Sequence, residues 1–396
     1  MSVTRYIVVG SLIDGSGEGV LRNVFLAVKD GVIAAIGQKA DLPRNARITT
    51  DEFPNSIIVP PFVDCSVSLA RSPAVDCMIR EAAATTTGTL QKPDLVAQHI
   101  NYCYSHGVLG VADNEDTARL EGLVREKMAM GSIIAIRTSG RFCRPRQGYV
   151  VPKANSFDFL RVEYSPSIDD AVPHESGFTR ETLRNILQQR GEKKAVVVAN
   201  GEQRVTEALE AGCDAIEQGY GMGEVNLRKM SERGILWIPS VNRAKNGLDS
   251  SGSGGDVSCR FSMRYVAPGK ADPDAEGFWK KMLAGQLAQL RQARKLGVNT
   301  AVGTGAGSIG ILHGESVVEE MKLFIKAGYS IAETIRCASE NGARFFGMPN
   351  LGTLAVGRKA MFLIARGTVQ QLPRKLAYLE NIYVDGAPAP TVERKI

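Results

Sequence analysis

Hydrophobic and polar positions alternate with a period of two through residues 3–58, in TRYIVVGSLIDG, NVFLAVKDGVIAAIG and ARITTDE, with breaks at Gly, Asp-Gly and Pro. This pattern predicts short β-strands, with Lys29-Asp30-Gly31 as a hairpin-type turn between two of them. From residue 57 the pattern changes. Helix-like stretches end on a Gly and run into apolar, strand-like ones. HINYCYSHGVLGVAD pairs a helix with the strand GVLGVAD, and LEGLVREKMAMGS leads to IIAIRTSG. TRETLRNILQQRG, capped by Thr179 with Thr182 three residues on, leads to KKAVVVANG. RVTEALEAGC leads to DAIEQG, NLRKMSERG to ILWIPSV, and FWKKMLAGQLAQLRQARKLG to NTAVGTGAG, while FDFLRVEYS reads as a strand. Repeated helix-Gly-strand punctuation marks parallel βα units. Seven or eight such units in about 290 residues predict an α/β fold, a TIM (β/α)8 barrel. The tail, LGTLAVGRKAMFLIARG and LENIYVDGAPA, returns to the β pattern.

Two stretches stand out. Ile57 to Leu69, IIVPPFVDCSVSL, is an apolar run, a Pro-Pro break, then alternation ending in small polar residues. It reads as a buried strand whose far end reaches a site. Asn246 to Asp256, NGLDSSGSGGD, is rich in Gly and Ser and reads as a mobile loop after the strand ILWIPSV, near the mouth of the pocket, either a functional lid or, more plainly, a tolerated surface insertion.

Composition narrows the class. The 396 residues are 44% hydrophobic and 23% charged, a globular profile with room for a large core. The net charge of +6 is mild, and no basic run interleaved with aromatics occurs, which argues against a nucleic-acid partner. Nothing resembles a signal peptide, and no run of about 18 apolar residues predicts a membrane span. The seven cysteines are scattered without CxxC spacing, as expected for free thiols in a reducing, cytoplasmic setting.

The ordered motifs resemble those of the amidohydrolase superfamily, nearest its imidazolonepropionase-like and Xaa-Pro-dipeptidase-like branch. There the first barrel strand ends in Asp-x-His-x-His-Leu; here the same frame reads Asp64, Cys65, Ser66, Val67, Ser68, Leu69. AVVVANGEQRVTEALEAGCDAIEQGYGMGEVNLRKMSERGILWIPS is similar to the family's His-Ala-x-Gly through Glu-Arg-Gly run, with its metal-binding histidines falling at Val198 and Gln218. The lysine that some branches carboxylate falls at Arg161 in FDFLRV, and the metal-binding, water-activating Asp falls at Gly305 in NTAVGTGAG. The closing segment, from HGESVVEEM to LGTLAVGRKA, matches the family's last helices and its Leu-Gly-Thr turn. The resemblance implies a TIM barrel over 59–349 and a small β-sandwich accessory domain built from 1–58 plus 350–396. It also implies that all six metal positions (Ser66, Ser68, Arg161, Val198, Gln218 and Gly305) are changed. Serine hydroxyls are poor zinc ligands, and a guanidinium repels a divalent ion. No metal and no other cofactor are expected.

Polar groups remain at these positions. Ser66, Ser68, Asn200 and Gln218 suit binding of carbonyls, hydroxyls or a carboxylate, as do His313, on the loop after the last barrel strand, and Arg141 in SGRFCRPRQGY. Arg144 and Arg146 belong to the same candidate anion site, whose plainer reading is a solvated loop. Arg161, Glu163 and Tyr164 lie at a strand end, where barrel enzymes keep their catalytic groups. Residues two apart share a face, so Glu163 follows Arg161 toward the axis, either as candidate general acid or base or as one half of a structural Arg161–Glu163 pair. Asp64 reads as a structural carboxylate, Cys65 as a buried thiol, His99 and His106 as surface residues and His174 as a loop residue. Two functions fit. One is a metal-independent enzyme using acid/base and hydrogen-bond chemistry for hydrolysis, cyclisation, isomerisation or lyase work on a small cyclic or carbonyl-bearing metabolite. The other is a non-catalytic relative, a small-molecule binder or supporting subunit. The small-molecule substrate is the only partner expected, with no nucleic acid and no membrane; a homo-oligomer is compatible with the sequence.

Overall fold

The computed structural model describes residues 4–43, 49–74, 80, 92–114, 133–139, 157–166, 168, 179–251 and 273–390. The alternating N-terminal stretch forms β1 (Arg5–Leu12), β2 (Leu21–Lys29), β3 (Val32–Gln38) and β4 (Thr49–Val59). The Asp30-Gly31 turn joins β2 to β3 as an antiparallel hairpin, as predicted. Near the C-terminus lie β12 (Phe362–Arg366), β13 (Leu379–Val384) and β14 (Ala387–Pro388). Both chain ends meet in one seven-stranded sheet of order β14-β13-β12-β4-β1-β2-β3, closed by the antiparallel pairing of β12 with β4. The strands for which the resemblance implies a β-sandwich are here hydrogen-bonded in a single sheet. One of its faces buries Ile7, Leu12, Leu26, Ile58, Phe362 and Tyr383 together.

The stretch from Ile57 to Leu69 is not one strand. Residues 57–59 belong to β4, and β5 (Phe62–Val67) starts only after Pro60-Pro61. Two successive prolines offer no N–H to a ladder, so the chain leaves one sheet there and enters the next.

β5, β6 (Val108–Asp113) and β7 (Ala135–Thr138) form one parallel sheet. β8 (Leu160–Glu163), β9 (Ala195–Ala199), β10 (Ala215–Gln218) and β11 (Leu236–Ile238) form a second. Their residues are almost all buried, as fits strands covered on both faces. The stretch 300–306 links the sheets. Thr300 bridges in parallel to Trp237 of β11, Ala306 bridges to Val67 of β5, and Cys65 N donates to Val302 O at 2.9 Å. At the other side Asp158 N donates to Thr138 O at 2.8 Å, beside β7 and β8.

The helices are α1 (Lys92–Ser105), α2 (Arg180–Gln188), α3 (Glu202–Ala211), α4 (Gly223–Arg233), α5 (Val241–Ser251), α6 (Pro273–Leu296), α7 (Glu315–Lys326), α8 (Ile331–Cys337) and α9 (Glu340–Phe345). Thr179 caps α2 by accepting from Thr182 N, as its sequence signalled. Gly212 ends α3 in the left-handed region at φ 89°, which explains the Gly between helix and strand in the repeating pattern. Among the described residues no helix is long and apolar enough to cross a membrane.

Helix α5 corrects an expectation. The Gly/Ser-rich loop was placed from Asn246, yet residues 246–251 are helical, and 252–256 lie outside the described residues. Lys245 and Asp249 pair one turn apart. The start of α5 is held by a distant group: Glu320 of α7 accepts from Val241 N at 2.8 Å and Asn242 N at 2.7 Å. Glu320 is fully buried. Truncating it leaves two buried N–H groups unpaired, so Glu320→Ala is expected to destabilise the chain by about 2–5 kcal/mol, measured by urea unfolding. A loss below about 0.5 kcal/mol, within ordinary surface effects, would show that water replaces the cap.

Candidate active site

The site grows from alternate residues of β5. Asp64 and Ser66 point the same way, as period two requires. Asp64 accepts from Thr304 N at 2.9 Å, from Thr304 Oγ1 at 2.6 Å and from Ser66 N at 3.2 Å. It ties β5 to the 300–306 stretch. Burial pushes its carboxyl up to about 6, against the opposing pull of the Thr304 bonds.

Ser66 is fully buried, donates from Oγ to Glu217 Oε1 at 2.7 Å and accepts from Asn114 Nδ2 at 3.0 Å. Glu217, on β10, is equally buried. Arg161 of β8 clasps it with two bonds, Nε to Oε2 at 2.7 Å and Nη2 to Oε1 at 3.1 Å. The third bond of Arg161 runs from Nη1 to Glu163 Oε1 at 2.9 Å. Glu163's side chain is 46% exposed against 1% for Glu217, so the chain Ser66–Glu217–Arg161–Glu163 runs from the interior to solvent at the strand ends. Burial alone would raise Glu217's carboxyl, but the guanidinium of Arg161, with a further contribution from Arg243, holds it below its ordinary value. Burial likewise opposes the charge on Arg161, and the two glutamates raise its pKa regardless.

Glu217 is the residue that sequence reasoning passed over. The resemblance points instead to its neighbour Gln218, which stands where the family has a histidine. An acidic residue inside the buried run AIEQ was the available signal, because a buried carboxylate demands a cationic partner.

The structure gathers some predicted residues and separates others. Ser66, Arg161 and Glu163 share the cluster just described. Asn200 and Gln218 form a neighbouring pair, with Asn200 Nδ2 donating to Gln218 Oε1 at 2.8 Å. Asn200 also accepts from Tyr220 N and donates to Pro166 O, so it clasps the ends of β9 and β10. Tyr164 points away from the cluster, because odd and even residues of a strand face opposite sides. Its hydroxyl donates to Glu207 of α3 at 2.5 Å, and Arg204 lies 4.8 Å over its ring. Arg141, Arg144, Arg146 and His174 lie outside the described residues.

His313 and Ser68 meet through the backbone, His313 Nε2 lying 3.1 Å from Ser68 O. His99 was expected at the surface and is instead buried, because its Nδ1 reaches Leu69 O at 2.8 Å and its ring stacks on that of His313 at 3.8 Å. His106 is half-buried against Tyr102 O. A carbonyl only accepts, so each bonded nitrogen carries the proton, and the pair holds successive peptides just after β5. Burial lowers His99 to about 4; burial and then the neighbouring His99 hold His313 well below its ordinary value.

The cluster does not fit a divalent metal. A hydrolytic zinc site needs about three or four converging N, O or S donors. Val198 and Gly305 supply no side-chain donor, Ser66 is spent on Glu217 and Asn114, and Arg161 brings a fixed cation. Among the described residues no group of three His, Cys, Asp or Glu side chains is placed to hold an ion.

Parallel strands alternating with helices, and a polar cluster at the strand ends, define the class of α/β enzymes whose chemistry sits at the C-terminal ends of strands. The chain belongs to the amidohydrolase family, whose sequence profile matches residues 171–392, more than half its length. It is similar to ochratoxinase of Aspergillus niger, with 21% identity over 89% of this chain and 79% of that protein. Solved structures share its fold. A Xaa-Pro dipeptidase with methionine bound in the active site has a TM-score of 0.75 at 17% identity, covering 98% of this chain and 99% of that one. The A. niger ochratoxinase structure has a TM-score of 0.74 at 18% identity, covering 98% and 95%. The molinate hydrolase structure has 0.73 at 14%, covering 98% and 95%.

The stacked histidines make a pH prediction. Their folded pKa values are lowered, so from about pH 6.5 down to about pH 4 the unfolded chain binds protons that the folded chain refuses. Stability therefore falls on acidification through this window. Asp64, raised in the folded state, contributes with the opposite sign, but it is common to wild type and variant and cancels in their difference. The urea-unfolding free energy of His313→Gln is expected to fall less steeply with decreasing pH than wild type, by up to about 1.4 kcal/mol per pH unit. Parallel profiles would show that the pair does not titrate with unfolding.

Proposed function

We propose that the protein is a metal-independent hydrolase of a small cyclic or carbonyl-bearing substrate. In this reading β5 to β11 and the stretch 300–306 are the eight strands of a (β/α)8 barrel over 59–349, and 1–58 with 350–396 make the accessory domain. The observation that carries the function is the chain of ionisable groups from buried Glu217 through Arg161 to half-exposed Glu163 at the strand ends. The similar proteins favour hydrolysis over cyclisation, isomerisation or elimination, because they are named as a dipeptidase, an ochratoxinase and a molinate hydrolase.

The groups divide the work as follows. Nη1 and Nη2 of Arg161 each spend one N–H on a glutamate, and each terminal nitrogen has a second N–H. These N–H groups receive the substrate's carbonyl oxygen. Glu163 takes a proton from water as the water oxygen bonds to the carbonyl carbon. The carbonyl π electrons move to oxygen, where Arg161 stabilises the oxyanion. The oxyanion then collapses, the bond to the leaving nitrogen or oxygen breaks, and Glu163 returns the proton to the leaving group. Glu217 and Ser66 orient Arg161 and do not touch substrate. The described cysteines, Cys65, Cys103, Cys213 and Cys337, are free and buried, which supports a reducing, cytoplasmic setting.

The test is a hydrolysis screen of cyclic amides, lactones and acyclic amides in the presence of a chelator. Glu163→Gln keeps the shape and is expected to lower kcat by about 10²–10⁴-fold and to remove the acidic limb of the pH profile. Wild-type turnover by that variant across the pH range would transfer the acid/base role to another group. Loss of wild-type activity on chelation, with about one zinc or iron per chain by elemental analysis (a structural site alone would leave activity intact), would overturn metal independence. Saturable binding without turnover would leave a binder.

A further inference from the structure

In the resembling family the position of Gly305 carries an Asp that binds metal. Here a Cβ at 305 would lie 2.6 Å from Arg243 Nε, 2.7 Å from Nη2 and 2.8 Å from Cζ. The guanidinium of Arg243 thus fills the space into which a side chain at 305 would grow. Gly305 also has φ +74°, a left-handed conformation that an ordinary residue adopts only at a cost.

Both sides of this contact are anchored. Arg243 sits in the first turn of α5, directly after the two residues whose N–H groups are bound by Glu320. On the other side Gly305 N donates to Ser66 O at 2.8 Å, and Ser66 Oγ donates to Glu217. The charge of Arg243 acts on both Glu217 and Glu320. Two guanidiniums from different elements, Arg161 on β8 and Arg243 on α5, therefore act on one buried carboxylate at the strand ends.

We infer that Arg243 supplies the positive charge that a metal supplies elsewhere in the family, and that the absence of a side chain at Gly305 is what admits it. The inference rests on the hydrolase reading and completes it: the substrate's carbonyl oxygen is polarised between Arg161 and Arg243. A guanidinium holds its protons and stays charged across the working pH range, so it stabilises an oxyanion without exchanging a proton. No bond to Arg243 forms or breaks; water, Glu163 and the leaving group carry the chemistry already written.

The experiment uses the full chain with Arg243→Ala, Arg243→Lys and Gly305→Ala, assayed on the substrate found in the screen. Arg243→Ala is expected to lower kcat by about 10²–10³-fold, with KM less affected, and Arg243→Lys to keep part of the rate. Low-millimolar guanidinium chloride is expected to restore activity to Arg243→Ala, whereas sodium or ammonium chloride at the same ionic strength does not. Gly305→Ala fills the guanidinium's space, so it is expected to lose activity and to gain nothing from guanidinium. Wild-type kcat in Arg243→Ala, or equal rescue by every salt, overturns the inference while leaving the hydrolase reading intact. If wild type turns over no substrate, the hydrolase reading falls instead, and thermal melting decides the placement of Arg243. Guanidinium should then raise the Tm of Arg243→Ala but not that of the Arg243→Ala/Gly305→Ala double variant. No difference between the two overturns the inference.

Discussion

The ion pair between Arg161 and Glu217 sets the terms for everything around it. Taking a carboxylate and a guanidinium out of water costs several kcal/mol for each ion, and the cost is recovered only by good geometry with all remaining valences met. Here two of the guanidinium's nitrogens face the two carboxylate oxygens, and Ser66 adds a further donor to Oε1. That demand explains the neighbours. A hydroxyl is needed at 66 to finish Glu217, Asn114 donates to that hydroxyl, and Glu163 takes the N–H that Arg161 turns toward the opening. Removing Arg161 or Glu217 leaves the other as a buried charge without its counter-ion.

Asp64, Glu217 and Glu320 are all buried in this region, and they differ because of their partners. Glu217 contacts a guanidinium directly and lies below its ordinary value. Asp64 has only hydroxyl and backbone donors and rises to about 6. Glu320 has two backbone donors at the start of α5 and rises to about 8. The partial positive charge of a helix N-terminus, about half an elementary charge, does less for a buried carboxylate than a whole guanidinium in contact. On the proposed reading, proton exchange with substrate falls to Glu163, the glutamate of the cluster that meets solvent.

Much of the architecture was legible in the chain, because alternation and helix-Gly-strand punctuation report directly on which faces are buried. The errors have local causes. Apolar residues stand on both sides of Pro60-Pro61, so the division of this run between two sheets shows only through the missing N–H groups. Residues 246–251 have the composition of a loop, but a carboxylate some seventy residues away holds the helix start, which no local window contains. Within the site, period two put Arg161 and Glu163 on one face, and the same rule turns Tyr164 toward Glu207. Asn114 and Arg243 were not legible, because each is defined by a partner on another element, and Glu217 showed itself only as an acidic residue inside a buried run. Gln218 breaks the alternation itself, with φ at 71°, so its register could not be carried over from Glu217.

The changes at the six inherited metal positions are better understood as one exchange than as separate losses. Restoring histidines at 66 and 68 alone would not rebuild a metal centre. At an effective dielectric of about 20, a divalent ion about 4 Å from a single guanidinium is repelled by about 8 kcal/mol, and the charge of Arg243 acts on Glu217 beside that of Arg161. Restoring the Asp at 305 would in turn collide with Arg243. Reverting Arg161 to lysine would take the two-pronged clasp from Glu217, leaving a buried carboxylate with a single-point partner. Each residue now depends on the charges the others introduced. On the proposed reading, the site holds its positive charge in side chains that the fold positions, at the cost of a buried glutamate to balance them.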